Sequence, residues 1–260
     1  MSRARVRAFT LGDRPDLAAG VHRLVASLWP PEMEYIHHDP VCGRLWGTLY
    51  REFADFQPVL CDGRGAVVAA VAAGFTIPLR WSGRLRDLPS GVDGALERGT
   101  RGRARHRPPT TLSALLAAVA PDRQRRGLSA RVIRAMRSIA AHHGLRELIA
   151  PVRPTLKHRY PLASMRRYVR WTRADRAPFD PWLRLHWRLG ASVLRVAPRS
   201  MVITGTVAEW EAWTTMRFPQ SGRYTVPGAL APITIDRRRN VGRYVEPNVW
   251  MRHPVRARET

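Results

Sequence analysis

A chain of 260 residues with 45% apolar side chains is long enough to bury a full core, so one large domain is expected, with two smaller ones as the alternative. No stretch approaches the apolar length of a membrane span, and Arg3, Arg5 and Arg7 are followed by no apolar signal segment, which predicts a soluble, cytoplasmic protein. The formal net charge of +24 would suit a nucleic-acid partner, but the excess is nearly all arginine, with Lys157 the sole lysine; beside abundant Ala, Gly and Pro this reads as the coding habit of a GC-rich genome.

In chain order, residues 15–27 form the first expected helix, with Leu17, Val21, Leu24 and Val25 on one face, Asp13 as its cap, and Trp29-Pro30-Pro31 as its stop. Residues 41–53 form the second, with Leu45, Leu49 and Phe53 at four-residue spacing. Strands over 56–61 and 66–77 flank the turn Asp62-Gly63-Arg64-Gly65 as a hairpin. Residues 81–109, rich in Arg, Gly and Pro, read as a long excursion with a short helix near 92–98, and the arginine-glycine run 98–107 reads as a solvated, mobile loop.

A buried strand over 111–119 is closed by Pro121, and a helix follows in which Leu128, Val132, Met136 and Ile139 share a face and Gly144 supplies the C-terminal cap. Residues 145–152 are the next strand, completing a right-handed parallel crossover. Then come a proline-punctuated insert over 153–178, a helix over 181–189, strands over 192–196 and 200–207, an ambiguous segment over 209–216, and a late hairpin pairing 233–235 with 244–250. Neither Cys42 nor Cys61 has metal-ligand spacing, and His37-His38-Asp39 lacks a third ligand at helical spacing, so no metal site is expected.

The segment that carries chemistry is Val119-Ala120-Pro121-Asp122-Arg123-Gln124-Arg125-Arg126-Gly127-Leu128-Ser129. A turn from a buried strand into a helix start exposes consecutive amides without helical acceptors, and these, with the helix dipole, favour an anion. Gly127 permits close approach to the main chain, and the arginines add charge.

This stretch resembles the pyrophosphate turn of the Gcn5-related N-acetyltransferases (GNAT superfamily): Gln or Arg, two residues, Gly, one residue, then Gly or Ala, matched by Gln124, Gly127 and, with one departure, Ser129. The preceding Val119-x-Pro121 and the helix ending His142-His143-Gly144 fit as well. The resemblance implies an α/β fold whose mixed, mostly antiparallel sheet splays at one parallel strand pair and is flanked by helices. It implies a core over about 10–210, with the insert over 153–178 and extra C-terminal strands over 211–260.

By the same resemblance, the backbone of Ala117, Ala118 and Val119 would hold a pantetheine arm, and Gln124, Arg125, Arg126, Gly127, Leu128 and Ser129 the pyrophosphate of acetyl-CoA or another acyl-CoA. Counting back from Gly190 puts His186 where the family carries the tyrosine that protonates the departing thiolate, with Tyr160 and Tyr168 as the other candidates. Glu34, Tyr35 and Asp39, between the first two helices, would line the site of a small-molecule amine acceptor. A homodimer stays open, and neither a membrane nor a nucleic acid is expected. The competing expectations are a thioester-binding enzyme with another reaction, such as condensation, and a basic nucleic-acid-binding protein without catalysis.

Overall fold

The computed structural model describes residues 6–64 and 67–255. The basic start at Arg3 and Arg5, and Gly65 and Ala66 of the first hairpin, lie outside them.

The strands are β1 (Arg7–Thr10), β2 (Pro58–Arg64), β3 (Val67–Leu79), β4 (Thr111–Val119), β5 (Glu147–Val152), β6 (Ser192–Gly205), β7 (Gly222–Tyr224), β8 (Ile233–Asp236) and β9 (Val241–Pro254). They form one sheet in the order β1-β2-β3-β4-β5-β9-β8-β7, with β6 pairing β9 as well. Every pairing is antiparallel except β4 with β5. β9 therefore organises the second half: β6 runs along one of its edges, while β5 and β8 take opposite ends of the other.

The alternation of apolar side chains sends the sheet's two faces into different cores. On β5, Leu148, Ala150 and Val152 pack under α4 (Leu128–His142) with Val132 and Met136. Ile149 points to the opposite face, beneath α1 (Ala18–Ala26), α2 (Pro40–Arg51) and α3 (Val92–Ala104), beside Phe75 of β3 and Trp250 of β9. A third cluster joins Tyr35 to Tyr244 and to Trp210 of α7 (Val207–Thr214).

The strand-helix-strand unit at the centre forms as the periodicity predicts, and Gly144, at φ 66°, ends α4 as a left-handed cap. A late hairpin forms as β8 and β9, but residues 234–236 pair with 241–243, and the expected partner 244–250 pairs with β6 and β5 instead. Other expectations need correction. Asp13 does not cap α1; its carboxylate accepts from the Thr10 amide. The arginine-glycine run is largely helical, because α3 continues to Ala104. The buried face of α3 is Val92, Ala95, Leu96 and Gly99, and a Cβ at Gly99 would collide with the Ile77 side chain. A helix that packs through a glycine hides its own apolar stripe.

The two strands expected over 192–207 are one, β6, with an irregularity between Ala197 and Met201 where Pro198 interrupts the ladder. The ambiguous segment is α7, settled by a capping box in which Thr206 and Glu209 satisfy each other's amides. The insert holds α5 (Met165–Tyr168), and α6 (Pro181–Arg188) follows it. No helix among the described residues is long and apolar enough to cross a membrane.

Candidate active site

The parallel pair opens. β4 and β5 are in register only over Thr111–Ser113 and Glu147–Ile149. Beyond that β5 follows β9 to the pair Val152 with Val249, and β4 stays on β3 to the pair Val119 with Ala72. The β4 edge from Ala114 to Val119 thus turns toward β5 without a strand partner. A bulge starts the divergence: Phe75 pairs with Leu116 and Thr76 with Ala114, which leaves Leu115 as the extra residue on β4. Main-chain groups on such an edge are costly unless something pairs with them.

The open edge leads into the glycine turn. A 3-10 turn at Pro121–Arg123 precedes Gln124, whose backbone is extended at φ −63° and ψ 164°. Arg125 and Gly127 are both left-handed, at φ 61° and 76°. Gly127 is the N-cap of α4 and brings no side-chain cap, so its first-turn amides keep their orphan character. Among the described residues, the amides from Arg125 to Ser129 meet no backbone or side-chain acceptor. A Cβ at Gly127 would meet nothing within 4 Å, so conformation rather than crowding requires glycine there.

The arginines around the turn divide. Arg123 is held by Asp62 at 2.9 Å and Asp122 at 3.1 Å. Arg125 and Arg126 are exposed and form no ion pair among the described residues, which leaves two cations beside a row of orphan amides. Bare edge, orphan amides and free guanidinium groups suit an extended amide-bearing arm that ends in a diphosphate.

His186 lies elsewhere. It is 4% exposed, and its Nδ1 is 2.9 Å from Nε2 of His253. His253 pairs with Leu148, in the half of β5 that is still zipped to β4. Burial first, then the neighbouring His253, lowers the His186 pKa to about 3, while burial first, then Arg137, lowers that of His253 to about 4. A neutral imidazole packed at the closed end of the pair is a structural group, which corrects the expectation of an acid at the thioester. Spacing from Gly190 located the helix; the register of β9 decides which end of the sheet it meets.

Beyond the open end of β5 stands the insert. Tyr168 donates to Asp180 at 2.9 Å and is buried with Trp171 and Phe179. Tyr160, 38% exposed, lies edge-on to Trp171 with ring centroids 5.0 Å apart. Lys157 is 1% exposed and donates to the carbonyls of Tyr160 and Leu230, and burial lowers its pKa to about 8.

The expected acceptor residues separate. Tyr35 is wholly buried, donates to the Pro227 carbonyl at 2.9 Å and packs on Trp210 and Tyr244, so it belongs to the core. Glu34 is exposed, 3.6 Å from the ring of His38. Asp39 is 1% exposed, and its Oδ1 accepts the amides of Val41 and Cys42, capping α2. The cap frees a proline-led segment to be the helix start, and its carboxylate then faces inward.

Two further groups are not evident from the sequence. Arg153, the residue after β5, holds Glu246 of β9 with its Nε 3.0 Å and 3.2 Å from the two carboxylate oxygens; Tyr244 and Asn248 donate to the same carboxylate. Asp93, in the first turn of α3, has its pKa raised to about 8 by burial first, then by Asp39 and, more weakly, Glu97 and Glu246. The only hint in the sequence is that each carboxylate opens a helix or sits on an apolar strand, where charge is costly.

Comparison with known proteins agrees with this geometry. The chain is 33% identical to arginine N-acetyltransferase avaD of Aspergillus versicolor over 276 residues, spanning 95% of this chain and 93% of that protein. The loading GNATL domain of CurA from Lyngbya majuscula has the same fold, with TM-score 0.59 at 15% identity over 98% of each chain. The GphF GNAT-like decarboxylase, solved with isobutyryl-CoA, superposes with TM-score 0.50 at 14% identity over 97% of this chain and 100% of that one. No family model matches the sequence. The chain belongs to the Gcn5-related N-acetyltransferase superfamily. It is an acyl-CoA-dependent N-acetyltransferase of a small amine.

Proposed function

We propose that the acceptor is a cationic amino acid of the arginine class, acetylated on its amine, and that the acyl-CoA lies along the open edge of β4. The observation that carries this reading is the unpaired run Ala114–Val119, joined through the short turn at Pro121–Arg123 to the orphan amides of the glycine turn. In support of the acceptor class stands the relative that acts on arginine, aligned over nearly the whole chain.

When bound, the acyl-CoA supplies an acetyl thioester, an electrophile for an uncharged amine. The backbone of Ala117, Ala118 and Val119 aligns the pantetheine arm. The amides of Arg125, Arg126, Gly127, Leu128 and Ser129, with the side chains of Arg125 and Arg126, neutralise the pyrophosphate, and Gln124, whose amide is spent on the Pro121 carbonyl, leads the chain into them. The incoming amine loses its proton to water or a nearby carboxylate, and the departing thiolate regains one. Tyr160 is the donor in this reading, as the partly exposed phenol beyond the open end of β5. His186 keeps α6 against β9. One domain holds the described residues, because β9 joins the C-terminal strands to β5 in one sheet.

Incubation with acetyl-CoA and arginine, followed by mass analysis, tests the assignment: acetyl-arginine and free coenzyme A are expected in equal amounts. Carbon dioxide or a new carbon-carbon bond, with no acetylated amine, would overturn it in favour of another thioester reaction.

A further inference from the structure

Beside the open end of the β4–β5 pair, on the face covered by α2 and α3, three side chains from two helices converge. The carboxylate oxygens of Asp39 and Asp93 and the sulfur of Cys42 supply atoms that all lie within 4.8 Å of one another. Asp39 begins α2, Cys42 is in its first turn, and Asp93 is in the first turn of α3. We propose that Asp39 and Asp93, with Cys42 beside them, seat the guanidinium group of the acceptor and so select an arginine-like substrate. This rests on the acceptor class proposed above and names the side chains that would read it.

The first ground is unsatisfied valence. Asp39 Oδ2 and Asp93 Oδ1 are both buried and without a hydrogen-bond partner. Buried carboxylate oxygens are nearly always paired, because leaving one bare costs about 1–3 kcal/mol or more. Asp39 is almost completely buried, and its other oxygen is fixed by two amides, so the free one is held in place. No ion pair among the described residues involves either carboxylate.

The second ground is the neighbouring charge. Glu246 is close enough to raise the pKa of Asp93 and of Cys42, but Arg153 already holds it in a forked contact. Arg153 therefore cannot turn to the aspartates without stranding Glu246. Among the described residues no arginine pairs with either aspartate; with its pKa raised to about 8, Asp93 holds a proton at neutral pH, and an incoming guanidinium would displace it.

The third ground is chemical. A guanidinium presents several N–H donors on a planar fork and bonds separate oxygens about 2.7–2.9 Å from its nitrogens. One free oxygen from each of two aspartates on different helices fits that shape. A divalent metal would draw on all three donors, the sulfur included, whereas a guanidinium needs only the two carboxylate oxygens that lack partners. The thiol then lines the site.

The test is equilibrium binding, read by calorimetry on the full chain with coenzyme A present and no acyl group, so that no turnover is involved. L-Arginine is compared with L-citrulline, which has the same shape and a neutral ureido head. The wild-type protein should prefer arginine by about tenfold or more. Asp93→Asn and Asp39→Asn, the second retaining a capping oxygen, should each remove that preference while leaving citrulline and coenzyme A binding within about twofold. Coenzyme A binding certifies that each variant is folded, and either variant alone is enough to decide.

Equal affinities for the two ligands in wild type, or an arginine preference that survives substitution, would overturn the proposal. So would stoichiometric zinc binding that Asp93→Asn abolishes. Product analysis keeps the two readings apart: arginine bound with selectivity but never acetylated would sink the reaction and leave the seat standing. Arginine acetylated with no dependence on either aspartate would do the reverse.

Discussion

The two ends of the β4–β5 pair differ in what their main chain leaves unpaired. At the closed end, where Leu112 still faces Leu148, His253 and His186 bond each other and Arg137 donates to the Leu189 and Pro254 carbonyls, while single side-chain atoms of His186, His253, Ser113 and Glu147 stay unpaired. At the open end, main-chain edges, helix-start amides and two aspartate oxygens have no partner. Unpaired side-chain atoms occur at both ends, but only at the open end do consecutive main-chain donors stand unpaired beside two exposed arginines, an arrangement that a ligand can complete. Polar groups at the closed end should therefore affect stability, and those at the open end should affect ligands.

The largest effect is expected at the glycine turn. Gly127→Asp places a carboxylate at the mouth of the orphan amides, and coenzyme A affinity should fall about 1,000-fold, about 4 kcal/mol. Calorimetry checks this, and unchanged binding would mean that the turn does not hold the pyrophosphate. Next comes Tyr160→Phe, for which kcat should fall about 100-fold with coenzyme A affinity nearly intact. A wild-type rate would remove the phenol from proton transfer.

At the closed end the outcome should be inverted. His186→Phe leaves His253 without its partner, so stability should fall by about 1–3 kcal/mol by urea titration while turnover per folded molecule stays within about twofold. A specific loss of kcat without loss of stability would erase the distinction between the two ends.

The smallest effect, and the one that sharpens the contrast, is the pH profile of stability. His186 and His253 titrate at about 3 and about 4 when folded, below the ordinary 6.5, so the unfolded chain binds more protons on the acid side. Their contribution is present above pH 6.5 and is lost as pH falls toward 4 and 3. Asp93 has the opposite sign. Its folded pKa of about 8 lies above the ordinary 3.8, so its contribution is full below 3.8 and is lost as pH rises through 8. Asp39, Cys42, Glu97 and Glu246 face it, the last already neutralised by Arg153, so Asp93→Asn should flatten the alkaline limb alone. Melting temperatures of wild type and variant from pH 4 to 9 would reveal it, and an unchanged alkaline limb would refute it.

How much of this was legible in the sequence follows the range of the forces involved. The unit from Thr111 to Val152 could be read because a buried strand, a proline, an amphipathic helix and a glycine cap are all local signals. α3 was half missed because its contact with β3 is made through Gly99, which no apolar pattern records. His186 was placed on the right helix and beside a left-handed Gly190, but which end of the sheet it faces depends on His253 pairing with Leu148. Asp93 escaped notice because its partner Asp39 is distant in the chain and only the packing of α2 on α3 brings them together. Spacing can announce a motif carried by one segment; a site divided between helices emerges only when they dock.

The sole lysine has a consequence for the enzyme's own survival. A protein that works amid acetyl thioesters risks chemical damage to its own amines, and Lys157, with a pKa of about 8, would be reactive if it could be reached. Its ammonium is instead enclosed and committed to two carbonyls, while the many arginines around it do not react under these conditions. The catalyst carries its positive charge in a form that its own reagent leaves alone.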